Sequence, residues 1–459
     1  MKKLISCLAL FLAFCTVACS APLPSRGNGA LQQTATETET IQKSDIEKKT
    51  EEILVEGPHD PTGFATGFGK VVVNPNPGVG LGGFGNADER TSTHVTDDIC
   101  ISCVAVSDGE KKLLLFSLDS IGTTVTVWNY VSKQMEKEFG IPQDCILINS
   151  SHSHSAPAVN MTISNMTKYM QTFYQGAKKA ATQAIADLDR SELKYGRTDT
   201  QDLSYIRRYI KKDTGEFVGN WPNTLDPAQY DHESYPDEEM LILYFDRVNQ
   251  KDIVLCNWQC HVTNVGTRNG GQVSSDYVGA FRDYVSEQLG VHCAFFQGAA
   301  GSTIPFGKLK GEKTNGDYKK HGQAIGDVLI AAIPTLSTME NTKIETLTKQ
   351  IQLTHNEKQK VNRGSETQTV SLCVFAIGDL AIATSPNEMD HRLGMYVKDH
   401  SPYTMTFMSA YTNGNYGYIP AESSFPNGGY EVDSCRYVPG TGEMMAEELV
   451  NMLNAVHSD

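Results

Sequence analysis

Two histidines and one glutamate stand just beyond strand-like segments and are candidate ligands of a metal ion. His152, His261 and Glu388 each follow a run of apolar residues that is typical of a buried strand. Alone, each has a simpler interpretation, such as a hydrogen-bonded loop histidine or a glutamate that complements a helix dipole. Together they form a set of three ligands with open positions, as in zinc hydrolases and non-haem iron enzymes. Spacing alone does not separate the two metals.

A second imidazole accompanies the first of these residues. His154 lies two positions after His152, in the segment Asn149-Ser-Ser-His-Ser-His-Ser-Ala-Pro157. In extended chain, residues i and i+2 point to the same side, so both rings are expected to face one site. Open α/β sheets bind ligands beyond the carboxyl ends of their strands. We therefore expect the site at that edge of a sheet.

Strands and helices alternate along the chain from Gly67 onward, which predicts an α/β fold with a mixed β-sheet core and flanking helices. We assign residues 61–459 to one large domain. The dipeptide Asp108-Gly109 between two apolar runs predicts a β-hairpin. The predicted strands cover residues 71–73, 101–106, 112–118, 145–148, 239–245, 253–258, 293–296, 344–353, 370–377 and 380–384. The predicted helices cover residues 123–139, 165–188, 276–289, 317–333, 388–398 and 443–456.

The first residues are typical of an export signal. Two lysines precede the apolar run 4–14, which is too short for a stable membrane-spanning helix. The segment Thr16-Val-Ala-Cys19 resembles a bacterial lipobox, whose cysteine is acylated; an ordinary secretory signal is the alternative. We predict a lipoprotein signal peptide over residues 1–19 and a flexible tether over residues 20–60. The protein is then exported and held on the cell membrane by a lipid at Cys19, facing outside the cytoplasm.

The composition of the chain disfavours nucleic-acid binding and metal binding by four cysteines. The net charge of −15 disfavours a nucleic-acid partner. The cysteines beyond Cys19 lie mostly in apolar, strand-like runs. We therefore predict buried, unpaired thiols rather than a four-cysteine metal site.

A series of short motifs runs through nearly all of the chain beyond the tether. In chain order the motifs are Gly67-Phe-Gly-Lys-Val, Leu81-Gly-Gly-Phe-Gly85, Ser117-Leu-Asp119, Ser151-His-Ser-His-Ser-Ala-Pro157, Ser275-Asp-Tyr-Val-Gly279, Gln297-Gly-Ala-Ala-Gly301, Pro386-Asn-Glu388, Asn413-Gly-Asn-Tyr-Gly-Tyr-Ile-Pro420 and Gly429-Tyr-Glu-Val432. Their order and context resemble the single large N-terminal catalytic domain of the neutral/alkaline, non-lysosomal ceramidases. Each motif is loose by itself, and the ordered series is what is specific.

The resemblance implies a zinc centre with four protein ligands. By position these ligands fall on His152, His261, Glu388 and Tyr418, with Tyr416 as the alternative if the last loop is shifted. Tyrosine is a rare ligand because its phenol must lose a proton near neutral pH. A bound cation can lower that pKa enough.

The resemblance also implies roles for three residues around the metal. His154 would carry the proton that passes to the leaving amine. Tyr430 would stabilise the oxyanion with its hydroxyl, and Arg207 would contact the substrate. A half-buried ring and a surface arginine are the simpler interpretations of the last two residues.

The chain departs from the family pattern in two places. The family carries Gly-Asp-x-Ser-Pro after the Gln/Gly-rich strand, whereas here Ser302 replaces the aspartate and Ile304 replaces the serine. Chemistry by that serine is therefore not expected. Members of the family also continue into a C-terminal β-sandwich, whereas this sequence ends after the predicted helix 443–456. We expect a shorter relative whose substrate need not be ceramide.

The implied function is zinc-dependent hydrolysis of an amide, N-acylsphingosine or another N-acyl amide, by metal-activated water. The expected partners are that small-molecule or lipid substrate and a membrane surface. One alternative is an esterase or deacylase that acts on a cell-surface or glycan substrate. Another is a non-catalytic surface-binding protein on a hydrolase scaffold. A non-haem iron oxygenase is disfavoured because Tyr418 would fill a position that oxygen needs.

Overall fold

The strands pair mainly into two mixed sheets, of nine and four strands. The computed structural model describes residues 62–85, 89–159, 166–313 and 316–458. The predicted signal peptide, the tether and Cys19 lie outside these residues. The described residues belong to one compact unit, Gly57–Asp459. The predicted α/β class, with a mixed sheet and flanking helices, is confirmed.

The nine-stranded sheet forms the larger part of the core. Its strands are β1 (Ala65–Val72), β2 (Cys100–Ser107), β3 (Lys112–Leu118), β4 (Ile146–Ser150), β5 (Asp189–Asp199), β6 (Glu239–Arg247), β7 (Ile253–Trp258), β8 (His292–Gln297) and β9 (Ser337–Met339). They lie in the order β8-β7-β6-β5-β1-β2-β3-β4, with β9 paired to β5. Strands β2 and β3 form the predicted antiparallel hairpin. The pairs β3–β4 and β7–β8 are parallel.

The second sheet contains β10 (Ile344–Thr354), β11 (Thr367–Ile377), β12 (Leu380–Thr384) and β13 (Met405–Ser409), in that order. Its last pair, β12–β13, is parallel. The remaining strands are short, at His94–Val95, Tyr205–Ile206, Tyr209–Lys211, Phe217–Gly219, Tyr230–His232, Gln272–Val273, Thr303–Ile304, Glu388–Met389 and Tyr418–Ile419.

Helices connect the parallel strands. The α-helices are α1 (Val125–Phe139), α2 (Met166–Ala186), α3 (Asp276–Leu289), α4 (Tyr318–Ala332), α5 (Glu357–Arg363), α6 (His391–Asp399), α7 (Tyr430–Ser434) and α8 (Thr441–His457). Short 3₁₀ helices lie at Gln143–Cys145, Ile333–Thr335 and Glu422–Asn427. Helices α1, α3 and α6 each join two neighbouring parallel strands, as β-α-β crossovers do. The chain therefore has three β-α-β units, and the carboxyl end of a strand in each unit is available to carry a functional loop.

Helix α1 shows how the sequence sets these units. The Thr124 hydroxyl accepts a hydrogen bond from the Val127 N–H at the start of the helix. Gly140 ends the helix in the left-handed conformation, with φ +68°. Trp128 and Val131 lie on its buried face. Helical spacing of apolar residues and two end signals are thus enough to place this element.

Polar side chains hold the ends of the two sheets together. Asn149, in β4, accepts a hydrogen bond from the Gln297 N–H at the end of β8, with a length of 2.8 Å. Its amide also donates to the Ala410 carbonyl, just beyond β13, at 2.8 Å. All three groups are buried. Asn149 therefore links the ends of strands β4, β8 and β13, one from each β-α-β unit.

The structure corrects one expectation about a helix and confirms another about the cysteines. The helix predicted at 388–398 is wrong at its start, because Glu388 pairs in a short parallel strand with Tyr418 and the helix begins at His391, capped by Asp390. The eight cysteines from Cys100 onward are all buried and unpaired, which confirms that prediction. Among the described residues, no helix combines the length and apolar character needed to span a bilayer.

Candidate metal centre

Each β-α-β unit brings one side chain to the same place. His152 follows β4, His261 follows β7 and Glu388 follows β12. The two histidines are almost completely buried, and the glutamate side chain is 12% exposed. The carboxyl ends of the strands therefore converge on one centre, as expected from the sequence.

The backbone at His152 differs from the expected extended chain. Its φ is +67°, in the left-handed region that non-glycine residues seldom adopt. The argument that residues i and i+2 point the same way was therefore wrong at this position. His154 still faces the same centre, because its Nε2 lies 3.2 Å from the Nε2 of His152.

Backbone carbonyls fix the protonation of the two buried imidazoles. The Nδ1 of His152 lies 2.7 Å from the Ile121 carbonyl, and the Nδ1 of His261 lies 2.7 Å from the Ala300 carbonyl. A carbonyl can only accept a hydrogen bond, so both Nδ1 atoms donate and both Nε2 atoms present a lone pair. Burial, followed by the positive charge of Arg207, lowers the pKa of His261 to about 4. This ring is therefore neutral at physiological pH.

The carboxylate of Glu388 faces both lone pairs. Its Oε2 lies 3.3 Å from His152 Nε2 and 3.6 Å from His261 Nε2. When both rings are neutral, neither Nε2 atom has a proton to donate, and this buried oxygen has no hydrogen-bond partner. Burial opposes ionisation of Glu388, but the two histidines, when protonated, outweigh it and hold its pKa well below 4.5. Three mutually repelling acceptor atoms fit a divalent cation between them, and this N,N,O set suits Zn²⁺.

His154 is held differently from the other two histidines. It belongs to a compact group with His152 and His261 whose nitrogen atoms lie within 4.8 Å of one another. Its Nδ1, however, is buried without a partner. Burial, then repulsion from His152 when that ring is protonated, lowers the pKa of His154 well below 6.5. Because no carbonyl fixes its tautomer, this ring can carry its proton on either nitrogen.

A glycine makes room for the His154 ring. Gly83 has a φ of +85°, and a Cβ built there would lie 2.4 Å from His154 Nδ1. Any larger residue at this position would push against the imidazole. Gly83, from the Leu81-Gly-Gly-Phe-Gly85 motif, thus lets the backbone cover His154 at close range.

Tyr418 completes the group of candidate ligands. Its short strand pairs with that of Glu388, so the two residues are register partners. The hydroxyl of Tyr418 lies 3.4 Å from His261 Nε2 and accepts a hydrogen bond from Arg207 at 3.2 Å. Burial, then the charge of Glu388, raises the pKa of Tyr418 well above 10. The phenol therefore needs a cation before it can bind as phenolate.

Arg207 lies behind Tyr418 with most of its donors engaged. Its Nε donates to Glu431 at 2.7 Å, and its Nη2 donates to the Gly301 carbonyl at 2.7 Å as well as to Tyr418. The guanidinium is 3% exposed. Arg207 thus holds a ligand candidate and is not a surface arginine.

Tyr430 lies on the outer side of the centre. It is 42% exposed, and its ring stands edge-on to that of Tyr418 at 5.4 Å between centroids. Trp221, which is 54% exposed, lies 6.5 Å beyond it. The three rings lead from the buried centre to solvent. Tyr416 contributes backbone groups: its carbonyl accepts from the Tyr437 hydroxyl at 3.3 Å, and its N–H donates to the Pro386 carbonyl at 2.9 Å. No described hydrogen bond joins its hydroxyl to the centre.

Comparison with known proteins rests on structure. No protein-family model matches the chain, and no curated protein matches it in sequence. The crystal structure of neutral ceramidase from Pseudomonas aeruginosa matches with a TM-score of 0.72 and 15% identity, over 87% of this chain and 75% of that one. A ceramidase complexed with C2 matches with a TM-score of 0.71 and 14% identity, over 87% and 76%.

The chain has the fold of neutral ceramidases. This likeness confirms the fold implied by the motif series. Three of the motif segments lie at the centre, since they contain His152, Glu388 and Tyr418. At this level of identity the likeness establishes the fold alone. The chemistry depends on the side chains of the centre.

The two departures from the family pattern have structural explanations in this ceramidase-like fold. Ile304 is buried in a short strand that pairs with Tyr205–Ile206. Ser302 is also buried, and its hydroxyl lies 2.7 Å from His391 Nδ1. Neither side chain reaches the described metal ligands. Both positions therefore support the loop around Arg207 instead of supplying a nucleophile.

Sequence reasoning missed two residues of the centre. Gln297 donates from one amide group to the carbonyls of Ser151, at 2.9 Å, and Cys260, at 2.7 Å. Each carbonyl precedes a histidine ligand candidate, so Gln297 ties the two loops together. Tyr411 stacks on the ring of His152, with centroids 4.2 Å apart. Gln297 lies in a recognised motif and could have been found; nothing local in the sequence marks Tyr411.

Proposed function

We propose that this protein is a zinc-dependent amidohydrolase of the ceramidase type. The observation that carries the proposal is the convergence of three potential metal ligands: the Oε2 of Glu388 lies 3.3 Å from His152 Nε2 and 3.6 Å from His261 Nε2, and both Nδ1 atoms are held by backbone carbonyls. Buried lone pairs that face each other are costly unless a cation joins them. The ceramidase fold supports an amide of a fatty acid as the bond that is cleaved.

Zinc would be held by His152, His261, Glu388 and Tyr418. When bound, it supplies Lewis acidity to the amide carbonyl and lowers the pKa of a water molecule towards neutrality. Arg207 donates to the Tyr418 oxygen and, by its charge, favours the phenolate. These residues would bind and orient the metal ion, and neighbouring residues would transfer the protons.

His154 and Tyr430 would manage the proton and the developing charge. His154 would accept a proton from the attacking water at Nε2, the nitrogen that faces His152, and return it to the leaving nitrogen. The hydroxyl of Tyr430 donates to the carbonyl oxygen as negative charge develops. Loss of one such donor typically costs about 3 kcal/mol of transition-state stabilisation.

The test is metal-dependent turnover of N-acyl amides. Zinc-loaded protein is assayed against N-acylsphingosine, short-chain N-acyl amides and matching esters, then after chelation and again after zinc is restored. We expect amide hydrolysis that is lost with the chelator and regained with zinc. Turnover of esters alone would identify an esterase, and zinc-loaded protein inert to every substrate would contradict the proposal. His94→Ala, at an exposed histidine, serves as the control variant.

We also propose that the enzyme works at a membrane surface, anchored by a lipid on Cys19. The lipobox-like segment supports this, because it places small residues before the cysteine. Cys19→Ala is expected to move the protein from the membrane fraction to the soluble fraction after export. Unchanged membrane association in that variant would contradict the anchor without bearing on the metal centre.

A further inference from the structure

Tyr411 is a buried tyrosine at the metal centre whose hydroxyl has no hydrogen-bond partner. The side chain is 0% exposed. Its ring stacks on the imidazole of His152, with centroids 4.2 Å apart and an angle of 30° between planes. A buried phenol without a partner is destabilising unless something at the site uses it.

The backbone holds Tyr411 in an uncommon position. Its φ is +52°, in the left-handed region, which is unfavourable for a residue of this size. The Tyr411 N–H donates to the Asn387 carbonyl at 3.3 Å, and its carbonyl accepts from the Ser150 N–H at 3.2 Å. These bonds clamp Tyr411 between the loop that carries Glu388 and the loop that carries His152. Strain retained at such a point indicates a functional constraint.

Glu388 offers the complementary atom. Its buried Oε2 accepts no hydrogen bond, whereas the Tyr411 hydroxyl donates none. A tyrosine phenol has an ordinary pKa of about 10, so it carries a proton at neutral pH and can donate it. Arg207 and Tyr418 act on the Tyr411 phenol electrostatically. A donor without an acceptor and an acceptor without a donor thus both lie against the ring of His152.

We propose that Tyr411 is a positioning residue of the metal centre: its hydroxyl donates a hydrogen bond to the Glu388 carboxylate through one water molecule. The inference rests on the proposed zinc site. The bond orients the carboxylate so that an oxygen faces the two imidazole lone pairs. Outer partners of this kind typically change metal affinity by about ten- to a hundredfold.

Tyr411→Phe tests the hydroxyl alone, because the ring and its stacking on His152 remain. Zinc affinity is measured by competition with a chromophoric chelator, and thermal unfolding is measured on metal-free protein. We expect about ten- to a hundredfold weaker zinc binding, with a metal-free unfolding midpoint equal to or above that of the wild type. In the Glu388→Gln background, Tyr411→Phe is expected to produce a much smaller further change. Tyr209→Phe removes another buried hydroxyl without a partner and should leave zinc affinity unchanged.

Each other outcome overturns the inference. Wild-type zinc affinity in Tyr411→Phe, or an equal effect in the presence and absence of the Glu388 carboxylate, would show that the hydroxyl does not act through Glu388. A lower midpoint of the metal-free variant would show a structural hydroxyl instead. If the wild type itself binds no zinc, the proposed function fails together with this inference. If the wild type binds zinc and only the Tyr411 result is negative, the proposed function stands.

Discussion

Two buried carboxylates near Arg207 have opposite surroundings. Glu431 accepts hydrogen bonds from Arg207 at 2.7 Å, from Arg208 at 3.0 Å and from the Asn220 amide at 2.7 and 2.9 Å. Glu388 faces two imidazole nitrogens, and its Oε2 receives no hydrogen bond. One carboxylate is surrounded by donors and the other by acceptors.

The difference separates a structural charge from a functional one. Burial by itself raises the pKa of each carboxylate, and in each case neighbours reverse the shift. At Glu431 these neighbours are permanent cations, so its charge is balanced within the protein. At Glu388 the neighbours are histidines, one of which, His261, has a pKa of about 4 and is neutral in the metal-free protein. The proposed zinc ion would supply the balancing charge at Glu388.

The largest effect should come from removing a ligand. His152→Ala deletes one imidazole, and N-acyl amide turnover is expected to fall at least about a thousandfold, because Lewis-acid stabilisation is worth several kcal/mol. The comparison is kcat/KM against wild type and His94→Ala. Full activity in the His152 variant would contradict the metal-binding role of this centre, and with it the functional role assigned to Glu388.

The matched change at the structural carboxylate should act on stability. Glu431→Ala leaves two buried guanidinium groups without this partner, and breaking a buried ion pair costs about 3–5 kcal/mol. Urea unfolding of metal-free protein measures the loss. Glu388→Ala, under the same conditions, is expected to lower the free energy of unfolding far less, because Glu388 has no donor to abandon. Equal losses in the two variants would contradict the account.

His154 should affect rate without affecting metal content. His154→Asn removes the proton carrier, and kcat is expected to fall about a hundredfold while zinc is retained. Zinc content and kcat are measured on the same preparation. Loss of zinc to the extent seen in His152→Ala would instead make His154 a ligand of the three-histidine group.

The smallest effect concerns the pH dependence of zinc binding. Tyr418 is protonated at neutral pH, since burial and Glu388 raise its pKa well above 10, whereas His261, with a pKa of about 4, is already neutral. If Tyr418 binds as phenolate, it releases one proton, so zinc affinity rises about tenfold per pH unit above pH 7. Tyr418→Phe should remove this slope. A slope that persists in the variant would exclude phenolate coordination.

Much of the fold follows from local sequence signals. The first two β-α-β units were predictable because their apolar strands and helical spacing are strong. The third was predicted only in part, since strand β13 was not among the predicted strands. Strand β5 was missed because most of its residues are partly exposed or polar, and only Leu193 within it is buried. The true start of α6 was missed because Glu388 pairs with a strand thirty residues later, and no local pattern reveals such a partner.

The site is harder to derive from local patterns. The histidines and Glu388 could be proposed from their positions after strands, and Tyr418 from the motif resemblance. The anchoring of both Nδ1 atoms by carbonyls could not be foreseen, since Ile121 and Ala300 are remote from the rings they hold. The left-handed backbone at His152 and the stacking of Tyr411 likewise depend on tertiary packing.

Zinc content tests the central claim most directly. Protein purified without chelator and dialysed against zinc is analysed for bound metal, beside His152→Ala and Glu431→Gln. The account predicts about one tightly held zinc per chain in the wild type and in any folded Glu431 variant, and almost none in His152→Ala. A correctly folded wild-type protein that retains no zinc, or a His152 variant that retains it fully, would contradict the account.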